Sequence, residues 1–258
     1  MRALVTGGAK RLGRAMALYL ADRGFDVAIH YHSSQAEAER TVADIRARGV
    51  KSVALCADIL DEDQVQTLID RAVEGLGGPL SCLINNASVF EYDTLESASR
   101  LSWDRHIESN LRAPVVLSQR FAQQAPKATF DDHGEPVSQS VIINMLDQRV
   151  RKLTPDFMSY TVAKMGLWAF TQTAARGLAP DIRVNAIGPG PTIQGARQTK
   201  DHFAAQRMNT VLQRGSDPDD ICTALGYFLD AKSVTGQLLC ADGGQHLGWK
   251  TPDIIGVE

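Results

Sequence analysis

Tyr160 and Lys164 stand four residues apart in SYTVAKMGLWAF, and Asp147 stands thirteen residues ahead of the tyrosine in VIINMLD. On a helix the first two share a face one turn apart, which brings an ammonium near a phenol oxygen. A phenol titrates near 10 in water, and a cation within about 4–6 Å lowers that by about 1–3 units. The pair therefore has the chemistry of a proton donor to an anion formed by hydride addition. A YxxxK match is common by chance, and this one gains weight from the strand that ends at Asp147. Read by itself, Asp147 is equally a helix cap or a salt-bridge partner.

Far upstream, Thr6-Gly7-Gly8-Ala9-Lys10-Arg11-Leu12-Gly13 forms a glycine-rich turn between a strand and a helix. Such a turn lets backbone amides approach a pyrophosphate at a helix N-terminus, where the macrodipole favours anions, although the same turn also serves packing alone. Arg11 is either a solvated helix-start arginine or a cation placed to meet phosphate or an acceptor ligand. An acid at the end of the second strand hydrogen-bonds the ribose hydroxyls of NADH and repels a 2′-phosphate. Here the chain reads His30-Tyr31-His32-Ser33-Ser34. Donors on His32, Ser33 and Ser34 favour NADPH, the alternative being plain loop residues. Asp58, at the end of the third strand, is either an acceptor for an adenine amino group or a cap for the next helix.

These residues need elements to hold them. Apolar runs at Arg2–Thr6, Asp26–Tyr31, Lys51–Cys56, Leu80–Asn85, Ser140–Met145, Arg183–Ile187 and Gln237–Cys240 alternate with helical periodicity near 11–23, 35–48, 61–75, 98–125, 157–177 and 217–229. That alternation predicts a single-domain α/β fold across 1–258, a doubly wound seven-stranded parallel sheet with helices on both faces. DDHGEP at 131–136 reads as a polar surface turn. GPGPTIQGARQ at 188–198 follows a strand's carboxyl end, where ligands bind in open sheets, and the region of about 190–212 reads as a substrate loop, with a mobile lid over Gln194–Met208. A formal charge of −3 and scattered basic residues argue against nucleic acid. No apolar run approaches a membrane span and no leader is evident, so the expected location is cytoplasmic. Cys56, Cys82, Cys222 and Cys240 form no CxxC pair, which suggests reduced thiols and no metal site.

In order, TGGAKRLG, NNAS at 85–88, SNLRAP at 109–114, YTVAK and RVNAIGPGPT resemble the short-chain dehydrogenase/reductase family from residue 3 to about 246. The resemblance implies a Rossmann-type fold, in a homotetramer or homodimer, in which Tyr160 is the acid, Lys164 also holds the nicotinamide ribose, and Asn110 orders a proton-relay water. Gly7, Arg11, Leu12, Gly13, Asn86, Ala87, Ser88, Gly188 and Pro189 would line the cofactor. Asp147 stands where the family usually has a catalytic serine. That departure, with Arg11, HYHSS and Phe90 in NNASVF, resembles the pteridine reductase branch and its dihydromonapterin reductase relatives. There the pterin stacks between an aromatic ring and the nicotinamide, which assigns Phe90 to the stack, Arg11, Ser88 and Pro191 to the pocket, and Asp147 to protonation with Tyr160. Without the resemblance Phe90 reads as a core residue.

The expected reaction is hydride transfer from NADPH to a C=N carbon of a dihydropterin of the dihydromonapterin, dihydrobiopterin or dihydrofolate type, with protonation of the adjacent nitrogen. The rivals are a carbonyl reductase of the 3-oxoacyl type, a non-catalytic dinucleotide sensor, and a dehydrogenase running oxidatively. The tail GGQHLGWKTPDIIGVE is expected either to fray or to reach a neighbouring subunit's pocket.

Overall fold

A computed structural model describes residues 1–195 and 197–249; the rest of the tail segment, residues 250–258, lies outside the described residues. Seven short runs rich in Val, Ile and Leu form one parallel sheet: β1 (Arg2–Val5), β2 (Asp26–Tyr31), β3 (Ser52–Cys56), β4 (Cys82–Asn85), β7 (Ser140–Met145), β8 (Ile182–Pro189) and β9 (Leu238–Ala241). A small hairpin, β5 (Thr129–Phe130) with β6 (Pro136–Val137), stands apart from it. The sheet order is β3-β2-β1-β4-β7-β8-β9. Val5 pairs with Ile29 on one side and Ile84 on the other, so the strand order reverses at β1. Crevices for ligands open at the carboxyl ends of strands flanking such a reversal.

Alternating side chains send Ala3, Val5, Val27 and Ile29 to one face and Leu4 and Ala28 to the other. The first face is covered by α1 (Arg11–Asp22), α2 (Gln35–Arg46) and α8 (Pro218–Asp230), through Met16, Leu20, Ile45, Leu225 and Phe228. The second is covered by α3 (Glu62–Leu76), α5 (Ala113–Gln124) and α6 (Met158–Gly177), with Leu68, Ile69, Leu117 and Phe121 fully buried. Each such side chain contributes about 1.5–3 kcal/mol relative to exposure. This is the doubly wound seven-stranded sheet expected from the alternation.

Local chemistry sets the helix ends. Asp61 accepts from the backbone N–H groups of Asp63 and Gln64 to start α3, and left-handed Gly77 closes it. Asp217 and Asp220 cap α8 reciprocally behind Pro218.

Two segments differ from expectation, and between them the polar surface turn is found where expected. The single helix near 98–125 is α4 (Arg100–Ile107) joined to α5 by a π turn over Glu108–Arg112 that contains buried Asn110. The polar cluster at 131–136 is the hairpin turn between β5 and β6, where Asp131 Oδ1 accepts from the N–H groups of His133 and Glu135. The substrate-loop region contains a helix, α7 (Lys200–Met208), started by the Thr199 hydroxyl.

Arg183 projects from β8 into the core and donates to the carbonyls of Phe228, Leu229, Ala231 and Val234 at the C-terminal end of α8. Its charge complements the negative helix end while its fork satisfies carbonyls that burial would otherwise orphan. Arg183→Met removes both effects and is expected to lower unfolding free energy by on the order of 2–3 kcal/mol, read from urea denaturation. An unchanged midpoint would mean that water satisfies those carbonyls.

Candidate active site

The carboxyl ends of β1, β2 and β4 meet at the glycine turn. Gly7 has φ +62°, and a Cβ on Gly13 would lie 2.1 Å from the Gly7 carbonyl oxygen, so neither position accepts a side chain. Asn86, just past β4, donates its amide to the Thr6 carbonyl at 2.8 Å, and the N–H groups of Asn86 and Ala87 donate to the Thr6 hydroxyl at 2.9 Å. Buried His30 accepts from the Gly7 N–H at Nδ1, 3.2 Å, which leaves Nε2–H to donate to the Ala57 carbonyl at 3.0 Å. Burial holds this imidazole below its ordinary 6.5, neutral and fixed in that tautomer. The turn is thus bonded to both neighbouring strands and presents the N-terminus of α1, a cradle whose shape and dipole fit a pyrophosphate.

Around this cradle lie most of the residues expected at a cofactor. His32 and Ser33 are exposed at the end of β2, and half-buried Ser34 precedes α2. Asp58 caps its own turn, Oδ1 accepting from the Leu60 N–H at 2.9 Å, while Oδ2 lies 3.9 Å from His32 Nε2. The helix that follows is capped by Asp61 and not, as the local reading had it, by Asp58. Leu12 packs partly buried against the core on the first turn of α1, and Gly188 and Pro189 end β8. Arg11 sits in left-handed backbone at φ +55°. Its guanidinium donates to the carbonyls of Ile193 and Gln194 at 3.2 and 3.0 Å, so it bridges the glycine turn to the loop after β8. Pro191 in that loop accepts from Arg207 of α7 at 3.0 Å.

The three side chains expected to react, Asp147, Tyr160 and Lys164, gather where β7 ends and α6 begins. Asp147 is a cap: Oδ1 accepts from the Arg149 N–H at 2.8 Å at the start of a 3-10 turn over Gln148–Arg151, while Oδ2 accepts from the Tyr160 hydroxyl at 3.2 Å. Tyr160 is only 5% exposed and Lys164 only 3%. The Lys164 ammonium donates to the Met145 carbonyl at 2.8 Å and lies 5.6 Å from the centre of the Tyr160 ring. Burial, reinforced by Asp147, pushes the phenol well above its ordinary 10. This direction is opposite to the lowering expected from Lys164, because desolvation and the acceptor carboxylate outweigh an ammonium committed to a carbonyl. The phenol is therefore held as a proton donor. Burial draws the Lys164 ammonium down to about 8, against the opposing pull of Asp147.

Asn110, in the π turn, accepts from the Ser88 hydroxyl at 2.6 Å and donates to the Val89 carbonyl at 2.9 Å. It thereby fastens the loop after β4 next to the site; π turns inside helices are frequent at such places. The ring of Phe90 in that loop stacks on Phe157, centres 4.3 Å apart and 11° from parallel, and meets Tyr160 edge-on at 4.7 Å. One face of Phe90 thus belongs to Phe157, a partner that the sequence reading missed.

Also missed was the group that starts α6. Phe157, preceding that helix, is left-handed at φ 56° and offers no side-chain cap. Asp93, buried in the loop after β4, does this at long range, accepting from the Ser159 N–H at 3.1 Å, from the Ser159 hydroxyl in a short contact, and from the Ser102 hydroxyl at 3.1 Å. Ser159 also pairs at 2.7 Å with Nδ1 of buried His106, whose Nε2 accepts from the Glu91 N–H at 3.0 Å. The only sequence signal was an acid followed by hydroxyls without an apolar period, which loops share.

A family model described as Enoyl-(Acyl carrier protein) reductase matches residues 7–246, and the chain belongs to the short-chain dehydrogenase/reductase family. It is 40% identical to FolM alternative dihydrofolate reductase 1 from Brucella suis, solved in complex with NADP, with a TM-score of 0.91 over 98% of each chain. The Brucella canis FolM protein, also complexed with NADP, shares 38% identity at a TM-score of 0.89 over 98% of this chain and 97% of that one. The 3-oxoacyl-[acyl-carrier-protein] reductase FabG of Staphylococcus aureus is 30% identical over 95% of this chain and 98% of its own length. Among the described residues no helix is long and apolar enough to cross a membrane.

Burial pushes the Asp93 carboxyl up, but its hydrogen bonds from Ser159 and Ser102 outweigh it and hold the group below its ordinary 3.8. A depressed carboxyl stabilises the fold above its unfolded value and loses that contribution as pH falls through the folded one. Asp93→Asn is therefore expected to lower stability by about 1–2 kcal/mol at neutral pH, with the deficit constant down to pH 3.8 and shrinking below it. Thermal melts of both proteins from neutral pH to below 3.8 check this, and a deficit that already changes as pH falls from the ordinary histidine value of 6.5, below which burial holds His106, would assign the effect to that imidazole.

Proposed function

We propose that this chain is an NADPH-dependent reductase that converts a dihydropterin of the dihydromonapterin, dihydrobiopterin or dihydrofolate type to the tetrahydro form. The observation that carries the reading is the Asp147 carboxylate 3.2 Å from the Tyr160 hydroxyl, in the place the family usually gives a serine. A serine steadies a carbonyl oxygen; a carboxyl relays a proton to a ring nitrogen, which a dihydropterin requires. The likeness to the two FolM proteins supports this choice.

NADPH, when bound, supplies the hydride. Gly7, Arg11, Leu12 and Gly13 receive its pyrophosphate, and His32, Ser33 and Ser34 offer donors to its 2′-phosphate with no acid among them to repel it. Asp58 flanks the adenine end, Asn86, Ala87 and Ser88 line the path, and Gly188 and Pro189 bound the nicotinamide end. Lys164 positions the ribose and holds positive charge beside the phenol. Tyr160 would give its proton to the ring nitrogen as the hydride reaches the adjacent carbon, and Asp147, 3.2 Å from the resulting phenolate, would pass it a replacement proton taken from water. Asn110 would order the route by which that water arrives. Phe90, Ser88, Arg11 and Pro191 shape the substrate pocket, Phe90 offering the flat ring an aromatic wall. The chain works on a small molecule in the cytoplasm as a homotetramer or homodimer.

The FabG relationship favours a second reading, reduction of a 3-oxoacyl thioester. NADPH oxidation with 7,8-dihydromonapterin, 7,8-dihydrofolate and the neutral thioester acetoacetyl-N-acetylcysteamine separates the two. The pterins are expected to turn over in the native enzyme and to lose that activity in Asp147→Ser; turnover of the thioester alone gives the second reading. Tyr160→Phe is expected to lower kcat by about 10²–10⁴ while NADPH binding, read by fluorescence, persists; loss of binding makes the tyrosine structural.

Lys164 is charged below about pH 8 and neutral above it. As pH rises through that value the site loses its cation, so kcat/KM falls on the alkaline side with a limb near pH 8. A profile flat to about pH 10, the ordinary lysine range, would detach the ammonium from the reaction.

A further inference from the structure

Two arginines that the reaction does not use stand over the aromatic pair. The Arg197 guanidinium lies 5.5 Å from the Phe90 ring centre and 5.8 Å from that of Phe157, so it is shared almost equally between the two rings. The Arg149 guanidinium lies 5.2 Å from the Phe157 ring centre. Arg197 donates to the Phe90 carbonyl, and Arg149 donates to the Thr154 hydroxyl and, at 3.2 Å, to the Asp156 carbonyl. The Arg149 Nε–H is buried with no partner. Among the described residues no carboxylate forms an ion pair with either guanidinium. The nearby acids are occupied: Glu91 is held by Arg105 at 2.9 Å, and Asp156 accepts from the Tyr92 hydroxyl at 3.0 Å.

Two like charges held around one stack, with their local acids already engaged, make a place for an anion. The rings add a condition. Phe90 meets Tyr160 at 4.7 Å, so the stack begins one ring away from the phenol. A substrate whose reacting ring reaches Tyr160 and Asp147 extends its substituent along Phe90 and Phe157 and beneath the guanidiniums. An aromatic arm matches those rings, and a carboxylate on it matches the arginine forks, which take carboxylates in bidentate fashion.

The geometry points to Arg149 and Arg197 as specificity-determining residues that select a reduced pterin bearing an aryl carboxylate arm, of the dihydrofolate type, over one with a neutral polyol arm. This rests on the dihydropterin reading above. Charge attraction across a partly solvated mouth acts on ground-state and transition-state binding alike, so it enters KM more than kcat.

Steady-state kinetics of the native enzyme with 7,8-dihydrofolate, 7,8-dihydropteroate and 7,8-dihydromonapterin test this, at low and high salt, beside Arg149→Met, Arg197→Met and the double variant. The native enzyme is expected to prefer both acidic substrates, with added salt raising their KM and leaving that of dihydromonapterin nearly unchanged. In the double variant the ratio of kcat/KM for dihydrofolate to that for dihydromonapterin is expected to fall at least tenfold, through KM. Arg149→Lys and Arg197→Lys, which keep the charge without the fork, are expected to recover part of it. Equal use of all three pterins by the native enzyme at low salt overturns the inference and leaves the pterin reading intact, and it does so whether or not any variant folds. A ratio unchanged in a folded double variant also overturns it. Reduction of acetoacetyl-N-acetylcysteamine and of no pterin removes both readings together.

Discussion

The contact on which the site depends is the bond from the Lys164 ammonium to the carbonyl of Met145, the last residue of β7. A buried ammonium is tolerated only where a hydrogen-bond acceptor compensates for lost water, and the end of a parallel strand provides one. That bond docks α6 on β7 in one rotational setting. One turn earlier on the same helix face comes Tyr160, and two residues beyond Met145 comes Asp147, so a single anchoring contact brings phenol and carboxylate to 3.2 Å. The same burial gives both partners displaced titration, the phenol upward and the ammonium to about 8.

Everything else around this contact serves to hold the ends of α6 and of the cradle still. Asp93 replaces the missing cap at the start of α6, His30 bonds the glycine turn to the neighbouring strands, and Asn86 laces that turn to β4. His30 lies in β2, and Asn86 and Asp93 both lie in the connection after β4. β2 and β4 flank β1 on opposite sides, so the reversal of strand order at β1 brings these segments to the same carboxyl edge.

The sheet and the Tyr160/Lys164 pair were legible because they rest on short-range regularities: short apolar runs, buried on both faces in β1, β2, β4, β7 and β8, and a four-residue step for the pair. What stayed hidden depends on partners distant in the chain. The cap from Asp93 to Ser159 spans 66 residues, and no local pattern announces it. Phe157 is a turn residue whose left-handed φ is paid back by its stack on Phe90. Arg11 reads as a ligand-facing cation, yet it holds the carbonyls of Ile193 and Gln194, a loop whose path no periodicity predicts. The direction of the Tyr160 titration could not be read either, since spacing reports the neighbour while burial sets the sign.

The π turn between α4 and α5 shows how such a site can be acquired. A π turn holds one residue more than the α-helical turn it replaces, and the helix beyond it keeps its facing, with Leu117 and Phe121 still buried in the core. Packing and chemistry are therefore separable here. The surplus residue alters only the local stretch where Asn110 meets Ser88. A lineage that gained or lost a single codon at this point would change the pocket while inheriting the rest of the hydrophobic architecture in register.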